Sequence, residues 1–168
     1  PPVCCSTHWM NASFGTTIYA LAHQEKDLIE ETFASLAAAP FNKVRHCMFP
    51  KHYDYNHNEP QYYPFEKKED GSWDTEHPCF AYWDHMEEII NRLGAMGIQS
   101  DLILFHPYDR WKFSEMNMEE NLSYLDYLLR RFSAIPYIWW SLANEYDLCF
   151  AKSLDDWHTI EQYVHDND

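Results

Sequence analysis

Positive charge is what this sequence has least of. Against 27 aspartates and glutamates stand only 12 lysines and arginines, for a formal charge of −15 and a pI near 4.9. Phosphate backbones and anionic lipid surfaces are held by clustered Lys and Arg, so no nucleic-acid partner and no membrane partner is expected. No apolar run approaches the roughly 20 residues that span a bilayer, and no charged segment followed by an apolar one opens the chain. A soluble, cytoplasmic protein is the resulting expectation, although the first residue is Pro1 rather than Met, which leaves room for a leader removed upstream. The five cysteines, Cys4, Cys5, Cys47, Cys79 and Cys149, are odd in number and contain no C-x-x-C pair, which fits reduced, mostly buried thiols. Metal signatures are missing too: there is no H-x-H on the first strand and no H-E-x-x-H helix. His46, His52, His57, His106 and Asp109 are therefore read as polar subsite and loop residues, with a hydrolytic zinc site as the weaker alternative. Neither a metal nor a cofactor is expected.

Aromatic residues, by contrast, are in excess. They make up 17% of the chain, with 7 Trp and 12 Tyr. Flat aromatic faces suit ligands with apolar C–H surfaces, such as sugar rings. The 168 residues, 46% of them apolar, fit one domain with a real core. Residues 1 to 13 show no clear period and read as an irregular N-terminal extension, which leaves a domain over 14 to 168. Phe14 to Ala20 reads as a first strand, and a helix follows with Leu28, Ile29, Phe33, Leu36 and Ala37 on one face. Lys43 to Phe49 reads as a second strand stopped by Pro50. A long aromatic loop, Pro50 to Pro78, precedes a helix carrying Tyr82, Trp83, Met86, Ile89, Ile90 and Leu93 and a strand from Ile98 to His106. Another helix carries Leu122, Leu125, Leu128, Leu129 and Phe132, and a last one is signalled by Ser153 with Asp156 three residues on.

Between those last two helices lies the stretch around which the chain is organised, Tyr137 to Asp147, YIWWSLANEYD. It is too short for an ordinary helix and rich in aromatic and β-branched residues, so it reads as a buried strand ending in an amide, a carboxylate and an aromatic. Glu145, set among Trp139, Trp140 and Tyr146, is expected to be partly desolvated, which favours the protonated form that a general acid needs. The plain alternative is that Glu145 caps a helix or pairs with an Arg. Helix-to-strand links are short, whereas strand-to-helix links are long and hold most of the His, Asp, Arg and Tyr. In βα architectures that asymmetry separates the stability face from the active face. The fold class expected is α/β, a (β/α)8 TIM barrel represented by about four βα units, half of a closed barrel.

The phrases FGTTIYALAHQ (14–24), PFNKVRHCMFPKHYDYN (40–56), DLILFHPYDRW (101–111) and above all WWSLANEYD (139–147) resemble a family of bacterial glycoside hydrolases with (β/α)8 barrels, of the DUF5060/DUF4038-like kind, related to the large retaining clan. The resemblance covers residues 14 to 168 in order. It implies that Glu145 is the general acid/base and that Asn144 contacts the sugar's 2-hydroxyl. It further implies that Arg45, ending strand two, supports the nucleophile and that His106, near the end of strand three, lies in the subsite. Tyr19, Trp111, Trp140 and Tyr146 are expected to line a sugar platform, with His52 and Asp109 adding polar contacts; Trp139 and Trp140 face opposite ways on a strand, so at most one looks into the barrel. Retaining hydrolysis needs a second carboxyl about 5–5.5 Å from the first. The family carries it on strand seven, which this chain does not contain, and Asp109 is a weak stand-in. The expected partner is an oligo- or polysaccharide, with a second copy or a C-terminal half completing the barrel. A non-catalytic carbohydrate-binding remnant is the alternative from another class.

Overall fold

In a computed structural model, residues 14–52 and 59–168 are described. The irregular extension over 1–13, and within the long loop Tyr53, Tyr55 and His57, lie outside the described residues. Four parallel strands form one sheet in the order β1 (Gly15–Thr17), β2 (Lys43–Cys47), β5 (Gln99–Phe105) and β6 (Ile138–Ala143). The connections carry α1 (Lys26–Ala37), α2 (Phe80–Ala95) and α3 (Met118–Phe132), and α4 (Leu154–Asn167) follows β6. Strands that neighbour each other in chain order, each joined by a helix, make the first half of a (β/α)8 barrel. Among the described residues β1 and β6 are paired on one side only.

The first strand is shorter than the expected Phe14 to Ala20. Pairing continues irregularly beyond Thr17, because the Ile18 amide donates to the Arg45 carbonyl at 2.9 Å and the Cys47 amide to the Tyr19 carbonyl at 2.9 Å. Those two bonds carry Tyr19 up to the end of β2. The segment expected as one long loop also holds a hairpin, β3 (Phe65–Lys67) antiparallel to β4 (Trp73–Pro78), with a register shift at Phe65/Glu66. Its turn is built by Asp70, whose carboxylate accepts from the Ser72 amide at 2.9 Å, and by Gly71 at φ +84, a conformation that favours glycine. Both remaining helix starts are capped: Asn117 and Glu120 form a reciprocal box on α3, and Ser153 with Asp156 forms the expected one on α4.

Side chains alternate across the sheet and divide its two faces. Val44, Leu102 and Leu104 point to the helices, where they meet Ile29 and Phe33 of α1, Trp83, Met86 and Ile90 of α2, and Tyr124, Leu125 and Leu128 of α3. An aromatic cluster closes the end of this layer, with Phe49 stacked on Phe113 at 4.9 Å and tilted against Tyr124 at 4.7 Å. The other, concave face is polar. There Lys43 pairs with Asp101 at 3.1 Å, the Ser141 hydroxyl donates to Asp101 at 2.6 Å, Lys43 lies over the Trp139 ring, and the Trp139 indole donates to Gln99. No helix among the described residues is long and apolar enough to cross a membrane.

Two stability predictions follow from this packing. Gly94, near the end of α2, lies so close to Tyr137 that a methyl group would stand 2.4 Å from its ring carbons. Gly94→Ala should therefore lose about 1–2 kcal/mol despite the gain in helix propensity, as read from urea unfolding midpoints. The second concerns His46, fully buried on β2 and, among the described residues, with no hydrogen-bond partner on either ring nitrogen. Burial lowers its pKa from 6.5 to about 4, with Asp101 opposing the shift. The folded state thus binds this proton less well than the unfolded state, so stability is complete above about pH 6.5 and falls as the pH drops toward 4. Between pH 7 and pH 5 this one group should cost about 2 kcal/mol. His46→Phe should flatten the pH dependence of the unfolding free energy over that window; an unchanged slope would count against a buried neutral imidazole.

Candidate active site

At the carboxyl end of β6 the backbone turns sharply. The Asn144 amide still donates to the Phe105 carbonyl at 3.0 Å, which holds Asn144 in line with β5, and the next residue, Glu145, takes a left-handed conformation (φ +51, ψ +57) before a short 3-10 turn over Tyr146–Leu148. A glutamate rarely adopts that conformation without being held there. The hold comes from the residue before it. The Asn144 side-chain oxygen accepts from the Tyr19 hydroxyl at 3.2 Å and from Arg45 Nη1 at 3.0 Å, while its nitrogen donates to Glu145 Oε2 at 3.4 Å. Arg45 Nη2 reaches the Ala143 carbonyl at 3.4 Å. One guanidinium therefore grips both the backbone and the side chain at the strand end. Tyr19, Arg45, Asn144 and Glu145, from three different strand ends, thus form one connected cluster.

The setting of Glu145 differs from the expected one. Its carboxylate is exposed, because Trp139 faces the lower concave surface, Trp140 packs into the helix-side layer, and Tyr146, 53% exposed, lies near-perpendicular to the Trp157 ring of α4. Trp140 and Tyr146 are accordingly not part of the cluster: strand alternation sends one backward, and the turn after Glu145 carries the other to the open flank of β6. Asp109 also has another task. Its two oxygens accept the amides of Trp111, Phe113 and Ser114 at 2.8–3.1 Å, so it braces the loop after β5 and is not presented as a nucleophile. His106 is 2% exposed, and its ring is committed at both nitrogens: Nδ1 accepts from the Tyr108 amide at 3.2 Å, so Nε2 donates to the Phe49 carbonyl at 3.0 Å. Burial lowers its pKa. It sits under the site as a brace between strand ends. The His52 amide donates to the Tyr108 carbonyl at 2.8 Å, which ties the loop after β2 to the loop after β5. Trp111 lies apart from Glu145, over a separate cavity, with its indole N–H on Glu59 at 2.8 Å and its carbonyl taking the Trp73 indole at 2.7 Å.

Three residues at this face were not singled out by the sequence. Lys51 places its ammonium against two rings, 4.0 Å from the centre of Tyr19 and 4.1 Å from that of Tyr108, and burial lowers its pKa while Cys47 and Glu145 oppose the shift. Tyr108 and Glu59 complete the rim. Lys51 stands four residues after the last residue of β2, next to Pro50, a position in the strand-end loop that could have marked it. Among the described residues no group of three or more His, Cys, Asp or Glu is arranged to hold a metal ion, and His57 lies outside them.

Four parallel βα units whose loops gather an Arg, a Tyr and an Asn-Glu pair at the strand ends define a glycoside-hydrolase-like barrel. The chain belongs to the apiosidase-like family, whose catalytic-domain model matches residues 13–168. Among solved structures it is similar to a candidate glycoside hydrolase from Bacteroides vulgatus ATCC 8482, with 41% identity and a TM-score of 0.89 over 93% of this chain and 33% of that one. The same fold recurs at 17% identity in a glycoside hydrolase family 5 protein from the same organism (TM-score 0.66, 93% of this chain and 33% of that one). It recurs again at 15% identity in an endo-β-1,4-mannanase from Thermotoga petrophila (TM-score 0.63, 94% of this chain and 40% of that one). The chain thus spans about a third of the length of the first of these relatives. No curated protein matches it.

Proposed function

We propose that this chain supplies the acid/base half of a retaining glycoside hydrolase acting on an oligo- or polysaccharide. Glu145 is the general acid/base, Asn144 hydrogen-bonds the sugar's 2-hydroxyl, and Arg45 with Tyr19 holds Asn144 in place. The observation that carries this reading is the cluster at the end of β6, where two donors from β1 and β2 fix the Asn144 side chain and a left-handed backbone turns Glu145 outward. A carboxyl placed in this way can protonate a leaving oxygen and later activate water. On this reading the nucleophile lies outside these residues, and Asp109, committed to three amides, is not placed to stand in for it.

The open sides of β1 and β6 belong to the same reading. Apolar side chains flank both: Ile18, Leu28 and Phe41 beside β1, and Tyr146, Leu154 and Trp157 beside β6. Four further βα units of a longer chain would cover them and pair both edges. A second copy is the less suitable cover, because each chain carries a charge of −15 and both flanks add a glutamate, Glu31 and Glu161. Completion of the barrel would also remove water from Glu145 and supply the desolvation that an acid requires. Turnover assays on the isolated residues and on the complete protein test this, with turnover expected from the complete protein alone.

A further inference from the structure

A cavity on the active face is lined by none of the residues of the Glu145 cluster. It has a volume of about 580 Å³, inside the range of about 300–1,000 Å³ typical of small-ligand sites. It lies between the loop joining β1 to α1 and the loops after β2 and β5, and Trp111, Gln24, Gln61, His23, Glu59 and Lys51 are among its lining residues. Three features fit a sugar. The first is a fixed aromatic plane: Trp111 is half-buried and held at three points, by Asp109 on its amide, Glu59 on its indole N–H and the Trp73 indole on its carbonyl. The Arg110 guanidinium lies 5.3 Å from the ring centre and Tyr63 meets the ring in a T-shaped contact, so the stacking surface is the part of the ring that these neighbours leave to the cavity, and it carries no ordering cost on binding. The second is neutral polar chemistry, since Gln24 and Gln61 offer both donors and acceptors. His23 donates Nε2 to the Cys47 carbonyl at 3.1 Å, and burial lowers its pKa to about 3, so it stays neutral and keeps Nδ1 as an acceptor. The third is continuity with the site of cleavage, because Lys51 lines the cavity and also lies against Tyr19, whose hydroxyl donates to Asn144.

The charge of the lining selects among sugars. Glu25, Asp27, Glu31 and Glu59 line the cavity against Lys26 and Lys51, and with Glu59 paired to Arg110 a surplus of one negative charge remains among the described residues. Carboxylates accept hydroxyl donors well and repel a uronate or a sulfated unit. We propose that this cavity is a distal subsite, with Trp111 as its platform, for a neutral sugar unit one or more residues away from the bond cleaved at Glu145. The proposal rests on the glycoside-hydrolase reading above, and it extends that reading to the length and charge of the substrate.

Calorimetric titration of the complete protein carrying Glu145→Gln, which binds without turnover, tests it. The probes are mannotriose, cellotriose and xylotriose, their monosaccharides, and trigalacturonate. At least one neutral trisaccharide should bind ten-fold or more tightly than its monosaccharide. Adding Trp111→Ala should weaken that trisaccharide at least ten-fold, and Gln61→Ala several-fold. Trp111→Phe, which keeps an aromatic plane and spares the fold should the alanine variant unfold, should hold affinity within about three-fold, as a ring face is what binding uses. Unchanged affinity in Trp111→Ala, equal affinity for mono- and trisaccharides, tighter binding of trigalacturonate than of every neutral probe, or no binding at all would each overturn the subsite. The first two of these outcomes, with binding lost instead in Asn144→Ala, would leave the catalytic reading standing, since that reading is judged by turnover.

Discussion

In the complete protein, Glu145→Gln should lower turnover of glycosides with poor leaving groups by about 10²- to 10⁴-fold, the usual contribution of a positioned general acid. Activated aryl glycosides should lose much less in the glycosylation step, because their leaving oxygen departs without a proton. The effect on stability should be small. Glu145 is exposed, and among the described residues its one side-chain hydrogen bond is the 3.4 Å contact from Asn144, which an amide can replace. Steady-state kinetics on the two substrate types, with thermal unfolding as the control, gives the comparison. Equal loss on both substrates would mean that Glu145 binds or supports the sugar and does not move the proton.

The second large effect belongs to Arg45. Its two terminal nitrogens reach Asn144 Oδ1 at 3.0 Å and the Ala143 carbonyl at 3.4 Å, a planar two-pronged grip at the last turn before Glu145. Lysine keeps the charge but offers a single point donor on a flexible stem, so it can satisfy one acceptor and not fix the angle between them. Arg45→Lys should lower kcat/KM by about 10- to 100-fold, or about 1.4–2.8 kcal/mol of transition-state binding, with a stability loss of about 1 kcal/mol or less. Near-normal turnover in this variant would reduce Arg45 to a structural bystander.

Much of this arrangement could be read directly from the residues, and the exceptions have physical causes. The apolar stripes of α1 and α2 and the apolar run Leu102 to Phe105 of β5 are local patterns, and the structure has those elements where the patterns lie. The Ser153 and Asp156 cap is equally local. Strand-end position pointed to Asn144 and Glu145 and the family resemblance to Arg45; these and Tyr19 meet at one face because a parallel sheet places every strand's carboxyl end together. Side-chain direction was harder to read. Adjacent tryptophans must alternate, yet which of Trp139 and Trp140 faces the helices depends on the register with Asp101 and Leu102, a long-range fact. Asp109 drew notice as a carboxylate near the strand ends and His106 through the family resemblance; three amides hold the first and two backbone partners the second, none of them visible in sequence. The hairpin of β3 and β4 was hidden in an aromatic loop, although its Asp70-Gly71 pair is a recognisable turn signal. Lys51 was passed over because a cation between two tyrosines requires the loops after β1, β2 and β5 to meet.

The central claim is that Glu145 moves the proton while another carboxylate, outside these residues, bonds the sugar. Mass spectrometry of the complete protein after inactivation by an activated 2-deoxy-2-fluoro glycoside tests it most directly, since the fluorine slows hydrolysis of the glycosyl-enzyme and leaves the label on the nucleophile. The label is predicted on a Glu or Asp that is not among these 168 residues. A label on Glu145, on Asp109, or on any other carboxylate of this chain would contradict the account.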